Sequence, residues 1–109
     1  MRIFLTGGTG FIGSHLLDCL LKNKEDVTAL KRNKNSKTKF VLNYEPKWEI
    51  NSLENVNNEN LTKKNLLVHL AAHSAQPPYD DLQNCIQKNV IEPLSLFDKA
   101  YESGIRRFV

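Results

Sequence analysis

Apolar residues in this chain form short continuous runs that alternate with segments of helical spacing. Strands are predicted at 1–5, 26–30 and 66–70, and the first and last of these runs are continuous rather than alternating, which is typical of parallel strands buried on both faces. Between the first two runs, apolar residues recur every three or four positions from Phe11 to Leu21. The pattern predicts a β-α-β unit over the first thirty residues.

Residues 33–65 carry a weaker pattern. Lys47–Ile50 is predicted to be a short strand with Trp48 as its apolar anchor, and residues 53–64 a short, poorly formed helix. Six asparagines lie between positions 51 and 65. Because such polar composition favours solvent, we expect this segment to bury little apolar surface.

The last third of the chain predicts a long amphipathic helix and a final strand. The apolar positions that define the helix are Leu82, Ile86, Val90, Leu94, Phe97 and Tyr101. Pro93 is expected to kink this helix, Gly104 to end it as a left-handed cap, and residues 106–109 to begin the strand. Right-handed crossovers then give one α/β domain over residues 1–109. We expect a Rossmann-type, doubly wound parallel sheet of order 3-2-1-4-5, truncated at the fifth strand.

Composition and charge narrow the functional classes. A net charge of +3 from 15 basic and 12 acidic residues is too small to indicate nucleic acid. The sequence shows no secretory leader and no apolar run long enough for a membrane span, so a cytoplasmic location is expected. Cys19 and Cys85 lie in helical patterns without metal-ligand spacing, and we expect both to be buried, reduced thiols.

The most informative motif is the glycine turn between the first strand and the first helix, Thr6-Gly7-Gly8-Thr9-Gly10-Phe11-Ile12-Gly13. Gly7 permits a sharp exit from the strand, Gly10 lets a phosphate approach the backbone, and Gly13 lets the helix pack closely on the sheet. The N–H groups of Phe11 and Ile12 then lie free at the positive end of the helix. The spacing G-x-x-G-x-x-G differs from the dehydrogenase fingerprint G-x-G-x-x-G.

This turn resembles the extended short-chain dehydrogenase/reductase family, in particular its NAD-dependent epimerases and dehydratases of nucleotide sugars. Three further segments are similar to family motifs in the same order: His69-Leu70-Ala71-Ala72, Asn89-Val90 and Gly104-Ile105-Arg106-Arg107-Phe108-Val109. The resemblance implies a dinucleotide cofactor along Leu70, Ala71, Ala72 and His73. It further implies that His73 and Ser74 lie on the nicotinamide side and that Asn89 bridges the helix to this loop. The residues alone also fit a polar loop at His73 and Ser74 and a polar helix face at Asn89. His69 is interpreted as a hydrogen-bonded core residue.

The end of the second strand bears on the choice of cofactor. An acidic residue at this position binds the ribose hydroxyls of NAD, whereas this chain has Lys31 and Arg32. A guanidinium suits the 2′-phosphate of NADP, so NADP is favoured over NAD, although the run from Lys31 to Lys39 also fits a solvated basic surface. The predicted cofactor-binding residues are Gly7, Gly10, Phe11, Ile12, Gly13, Lys31, Arg32, Leu70, Ala71, Ala72 and His73. No metal-ligating residue is predicted.

Family chemistry uses a Tyr-x-x-x-Lys pair, and this sequence has none. Tyr44, Tyr79 and Tyr101 are followed four positions later by Trp, Gln and Ile. No catalytic residue is therefore predicted, and we expect the cofactor-binding portion of a nucleotide-sugar enzyme that is inactive alone. The alternatives are a regulatory dinucleotide-binding module and a chain that does not fold stably. The substrate sugar and the oligomeric state are not indicated.

Overall fold

A computed structural model describes all residues from 1 to 109. Five parallel strands form one sheet in the order β3-β2-β1-β4-β5. Both the predicted strand order and the predicted parallel pairing are confirmed. The strands are β1 (Arg2–Thr6), β2 (Asp26–Lys31), β3 (Lys47–Ile50), β4 (Leu66–His69) and β5 (Arg107–Phe108).

Helices connect the strands. Helix α1 (Phe11–Lys22) links β1 to β2, and a 3₁₀ turn (Leu53–Asn55) with the one-turn α2 (Asn58–Leu61) links β3 to β4. The crossover to β5 is helical from α3 (Leu82–Ile86) through a π turn (Gln87–Ile91) into α4 (Glu92–Glu102). No helix combines the length and the apolar character that crossing a membrane requires.

The core has two parts because successive residues of a strand point to opposite faces of the sheet. Phe4 joins one buried cluster with Leu96 and Ile105, beneath α4. Ile3 and Leu5 join the other cluster, beneath α1. The continuous apolar pattern of β1 therefore reflects burial on both faces, as predicted.

The segment 33–65 is more structured than its composition predicts. Val56 and Leu61 are fully buried and belong to the cluster that contains Phe4. Asn57 and Asn60 form a reciprocal capping box, in which each side chain accepts the other's backbone N–H, at 3.1 and 3.0 Å. Val56 and Leu61 are the only buried residues of this segment, so it does bury little apolar surface, but those two side chains belong to the core.

The long helix is confirmed, but of its predicted apolar positions only Phe97 packs on the core. The side chains that its α4 part buries are Glu92, Pro93, Leu96 and Ala100, whereas Leu82 is 75% exposed and Leu94 60% exposed. The π turn contains about one more residue than a turn of α-helix. The side chains of α4 are therefore rotated about the helix axis relative to those of α3. Pro93 is the second residue of α4 and directly follows the π turn.

Two smaller expectations had opposite outcomes. Gly104 has φ +102°, and the Gly104 and Ile105 amides donate to the carbonyls of Tyr101 and Ala100, which is the predicted left-handed cap in Schellman form. The cysteines are free, but Cys19 is exposed and Cys85 only half-buried, so the prediction of burial was wrong.

Candidate functional site

A cleft of about 530 Å³ lies at the carboxyl ends of β1, β2, β3 and β4. In open parallel sheets ligands bind at this edge, where the connections on either side of β1 diverge. The lining residues come from the glycine turn, three further strand ends and the long helix: Thr6, Gly7, Thr9, Gly10, Leu30, Lys31, Arg32, Ser36, Asn51, Ser52, Leu53, Glu54, Leu70, Ala71, Ala72, His73, Ser74, Lys88 and Glu92.

The glycine turn brings three segments together by direct backbone contact. A Cβ on Gly13 would lie 1.8 Å from the carbonyl oxygen of Gly7, so α1 approaches the turn more closely than any side chain allows. A Cβ on Gly7 would lie 2.6 Å from the amide nitrogen of Ala71, at the end of β4, and Gly7 has φ +78°. A Cβ on Gly10 would meet only the Gly7 carbonyl oxygen, at 3.3 Å. Gly7 and Gly13 therefore serve packing, while Gly10 leaves the floor of the cleft open.

The start of α1 has unsatisfied backbone donors directly after Gly10, which lines the cleft. Gly10 is the N-cap residue and supplies no side-chain acceptor, and the first turn contains no acidic residue. The first N–H groups of a helix lack intrahelical acceptors and carry the positive end of the helix dipole. The side chains of Phe11 and Ile12 are exposed and do not line the cleft. Only their backbone groups are therefore candidates for binding an anion.

Thr6 and His69 join the ends of β1 and β4. Thr6 Oγ1 accepts the N–H of Ala71 at 3.3 Å and lies 2.7 Å from His69 Nδ1. Burial lowers the pKa of His69, so the neutral ring is favoured and its Nδ1 can accept the Thr6 proton. Its ring also packs edge-on against Phe97, with centroids 5.5 Å apart. His69 is thus the hydrogen-bonded core histidine that the sequence predicts.

The loop after β4 is held from the long helix. Asn89 Oδ1 accepts the backbone N–H of His73 at 2.8 Å, and Asn89 Nδ2 donates to the carbonyl of the same residue at 2.9 Å. The predicted bridge from Asn89 to this loop is confirmed. Asn89 lies within the π turn, whose wider backbone sets where this side chain projects.

A second set of contacts closes this loop. His73 Nε2 lies 2.8 Å from Asp80 Oδ2, and the Asp80 amide donates to Ser74 Oγ at 2.7 Å. Hydrogen bonds from His73 and then from Asn84 lower the pKa of Asp80. Asp81 caps α3 by accepting the Asn84 amide at 2.8 Å, as expected for an acid at a helix start.

The end of β2 presents two cations in different states. Lys31 Nζ donates to the carbonyls of Lys34 and Ser36, at 3.3 and 3.4 Å, and lies 4.6 Å from the centroid of the Trp48 ring. Arg32 is exposed, lines the cleft and forms no ion pair with a carboxylate. Arg32 is therefore the cation at this strand end that is free to bind a ligand.

The structure brings eight of the eleven predicted residues to the cleft. Phe11, Ile12 and Gly13 do not line it, for the reasons given above. Sequence reasoning missed the loop after β3, Asn51–Glu54, and the helix residues Lys88 and Glu92. The only available signal was their position in the fold. The loop follows the carboxyl end of a strand, and Lys88 and Glu92 lie on either side of Asn89, one helical turn from each other.

Comparisons with known proteins agree with this geometry. The sequence model of the NAD dependent epimerase/dehydratase family matches residues 3–109. UDP-glucuronic acid decarboxylase 3 of Arabidopsis thaliana is 31% identical over 110 residues, which cover 97% of this chain and 32% of the plant protein. The chain belongs to the NAD dependent epimerase/dehydratase family.

Solved structures share the fold. A NAD-dependent NDP-hexosamine 5,6-dehydratase of tunicamycin biosynthesis superposes with a TM-score of 0.82 at 26% identity, over 98% of this chain and 35% of that one. The UDP-glucose 4-epimerase of Thermotoga maritima, solved with UDP-glucose, gives 0.75 at 28% identity, over 99% of this chain and 36% of that one. The chain thus spans about a third of the length of the relatives it matches.

Proposed function

We propose that this chain is the dinucleotide-binding portion of a nucleotide-sugar epimerase, dehydratase or reductase. The observation that carries the proposal is the cleft itself, whose floor is a glycine turn opening onto an uncapped helix N-terminus. A pyrophosphate fits that floor because Gly10 carries no side chain and the first N–H groups of α1 have no protein acceptor. A nicotinamide dinucleotide supplies hydride transfer when bound, and the chain's own residues bind and orient it.

In this proposal the two halves of the cofactor lie at opposite ends of the cleft. The adenosine ribose belongs at the end of β2, near Arg32. The nicotinamide half then extends toward Ala71, Ala72 and His73 after β4. There the hydrogen bonds from Asn89 fix the backbone of His73, so the loop is organised before any ligand binds.

We further propose that NADP is preferred to NAD. Two observations support this preference: no acid stands at the end of β2, and Arg32 is free while Lys31 is held by its own loop. A guanidinium binds a phosphate through paired hydrogen bonds. The family name and the solved relatives refer to NAD, so this preference would distinguish the chain from them.

The 109 residues by themselves are proposed to be inactive toward nucleotide sugars. No tyrosine is followed four positions later by lysine, and none of the three tyrosines lines the cleft. Proton transfer coupled to hydride transfer needs an acid–base group within hydrogen-bond reach of the reacting hydroxyl. Turnover of a UDP-sugar by the purified chain would contradict this part of the proposal.

Calorimetric titration of the purified chain with NADPH and NADH tests cofactor binding and preference together. We expect saturable 1:1 binding of both and tighter binding of NADPH. Substituting Arg32→Ala removes charged hydrogen bonds, so NADPH should bind about tenfold more weakly while NADH changes little. Lys34→Ala is the matched control, since it removes an exposed cation of the same run that does not line the cleft. Equal affinity of the unmodified chain for both cofactors would refute the preference.

A further inference from the structure

Charged side chains gather at the amino ends of the first three strands, at the edge of the sheet opposite the cleft. Arg2 and Asp26 are register partners on β1 and β2, and Thr28 and Lys47 are register partners on β2 and β3. Residues paired in this way, or two apart on one strand, point to the same face of a sheet. Lys64 joins them from the loop before β4, because its Nζ donates to Thr28 Oγ1 at 2.7 Å. We call the four charged residues the amino-edge cluster.

The carboxylate of this cluster is bound to Lys47 and not to Lys64. Lys47 Nζ lies 3.2 Å from Asp26 Oδ1, whereas Lys64 forms no ion pair with a carboxylate. Lys64 is also half-buried. Burial lowers its pKa, Asp26 opposes this shift, and the cations of Lys47 and Arg2 add to it. A larger fraction of this amine is therefore unprotonated at neutral pH than in the unfolded chain.

The partner of Lys64 differs in kind from the partners of other lysines. Lys22 binds the carboxylate of Asp18 at 2.7 Å, and Lys31 and Lys99 each donate to two main-chain carbonyls. Carboxylates and carbonyls only accept hydrogen bonds, so they favour an ammonium. The hydroxyl beside Lys64 can also donate, so it suits an unprotonated amine or an anion formed from it.

We propose that Lys64 binds carbon dioxide as a carbamate. The lone pair of the unprotonated Nζ attacks the carbon of CO₂, an N–C bond forms, one C=O electron pair moves onto oxygen, and an amine proton passes to solvent. The reaction needs no oxidant and has no leaving group. It replaces a cation by an anion, so that the carbamate and Asp26 face the cations of Lys47 and Arg2. An electrophile that leaves a neutral amide would gain nothing from these cations, so the cluster favours CO₂.

The experiment traps carbamates on the folded chain. The purified chain is equilibrated in bicarbonate buffer and treated with triethyloxonium, which converts a carbamate to a stable ester, and modified lysines are located by mass spectrometry. Exposed Lys63, in the same loop, is the internal control. We expect on the order of tenfold more trapped carbamate at Lys64 than at Lys63, because the amine is less protonated and its product is stabilised. With ¹³C-labelled bicarbonate, a carbamate signal should appear in the NMR spectrum and be lost in Lys64→Arg.

Two variants test the role of the amino-edge cluster. Lys47→Gln removes an exposed cation and frees Asp26 to bind the Lys64 ammonium, so trapping at Lys64 should fall to the level at Lys63. Lys37→Gln removes an exposed cation of the loop after β2 and should leave trapping unchanged. Equal trapping at Lys64 and Lys63 in the folded, unmodified chain would overturn the inference, and so would undiminished trapping in Lys47→Gln. Neither result bears on the proposed function, because the cleft lies at the opposite edge of the sheet.

Discussion

The two walls of the cleft are built in different ways. The wall at the glycine turn consists of backbone, since Gly7 and Gly13 bring β1, α1 and β4 within contact distance of one another. The opposite wall consists of side chains from three separate segments, among them Arg32, Ser52 and Glu92. Close backbone contact depends on which residues lack a Cβ, whereas a side-chain wall depends on how distant segments pack. The first wall is therefore encoded locally and the second is not.

The largest expected effect is on the backbone wall. Gly13→Ala places a Cβ 1.8 Å from the Gly7 carbonyl oxygen, a backbone atom that cannot move without displacing the turn. We expect a loss of about 3 kcal/mol or more in the free energy of unfolding, measured by urea denaturation. In the control Gly8→Ala, the new Cβ meets side chains at 3.5 Å or beyond, which is ordinary contact. Equal stability of the two variants would contradict the close contact between Gly13 and the Gly7 carbonyl oxygen.

The next effect tests whether the asparagine-rich segment is part of the core. Leu61→Ala removes a fully buried side chain beneath α4, and we expect a loss of about 2–4 kcal/mol in the free energy of unfolding. Val41→Ala, at an exposed position of the same 33–65 segment, should change stability by less than about 0.5 kcal/mol. If the two variants unfold at the same urea concentration, the segment does not pack as described.

The glycine turn could be predicted from the sequence, whereas the burial of Leu61 could not. The close packing at the glycine turn, the strand order and the bridging role of Asn89 could be predicted, because each follows from a local pattern or from a family resemblance. The burial of Val56 and Leu61 could not, because composition does not distinguish asparagines in a disordered segment from asparagines that cap a turn. Nor could the buried face of α4, since the π turn changes the helical phase ahead of it.

A smaller effect is expected at the bridge between the long helix and the loop after β4. Asn89→Ala deletes two hydrogen bonds to the backbone of His73, both at the surface. We expect a loss of about 1 kcal/mol in the free energy of unfolding and faster amide hydrogen exchange in residues 70–81. Asn89→Asp keeps the acceptor but not the donor, so its free energy of unfolding should lie between those of the unmodified chain and Asn89→Ala. Unchanged exchange in Asn89→Ala would mean that the bridge does not order the loop.

The smallest effect is a pH dependence from His69. Burial lowers its pKa in the folded chain, so the unfolded chain binds the proton more readily. The contribution of His69 to stability is full above its ordinary pKa of about 6.5 and is lost as the pH falls toward the folded pKa. Unfolding free energies measured between about pH 7.5 and 5 should therefore decline, and His69→Gln should reduce this slope.

Two carboxylates also contribute to the pH dependence of stability, but in a different pH range from His69. Asp18 and Asp80 also have a lowered pKa in the folded chain, mainly through hydrogen bonds from Lys22 and His73 respectively. Their stability contributions are lost only below about pH 4, outside the histidine window. A His69→Gln variant whose slope between pH 7.5 and 5 matches that of the unmodified chain would contradict the assignment of a buried, neutral ring.

The central claim is that the backbone wall binds the pyrophosphate of a dinucleotide, and Gly10 tests it most directly. Gly10 lines the cleft and has an extended conformation with negative φ, so alanine is allowed by its backbone angles, although the new Cβ would lie 3.3 Å from the Gly7 carbonyl oxygen and the turn would have to shift slightly. The measurement is a calorimetric titration of NADH into the unmodified chain, Gly8→Ala and Gly10→Ala, with the melting temperature of each recorded. We predict equal binding by the first two and at least about tenfold weaker binding by Gly10→Ala, measured below the melting temperature of each variant so that all three chains are folded. Undiminished binding by Gly10→Ala, or no binding by the folded unmodified chain, would contradict the account.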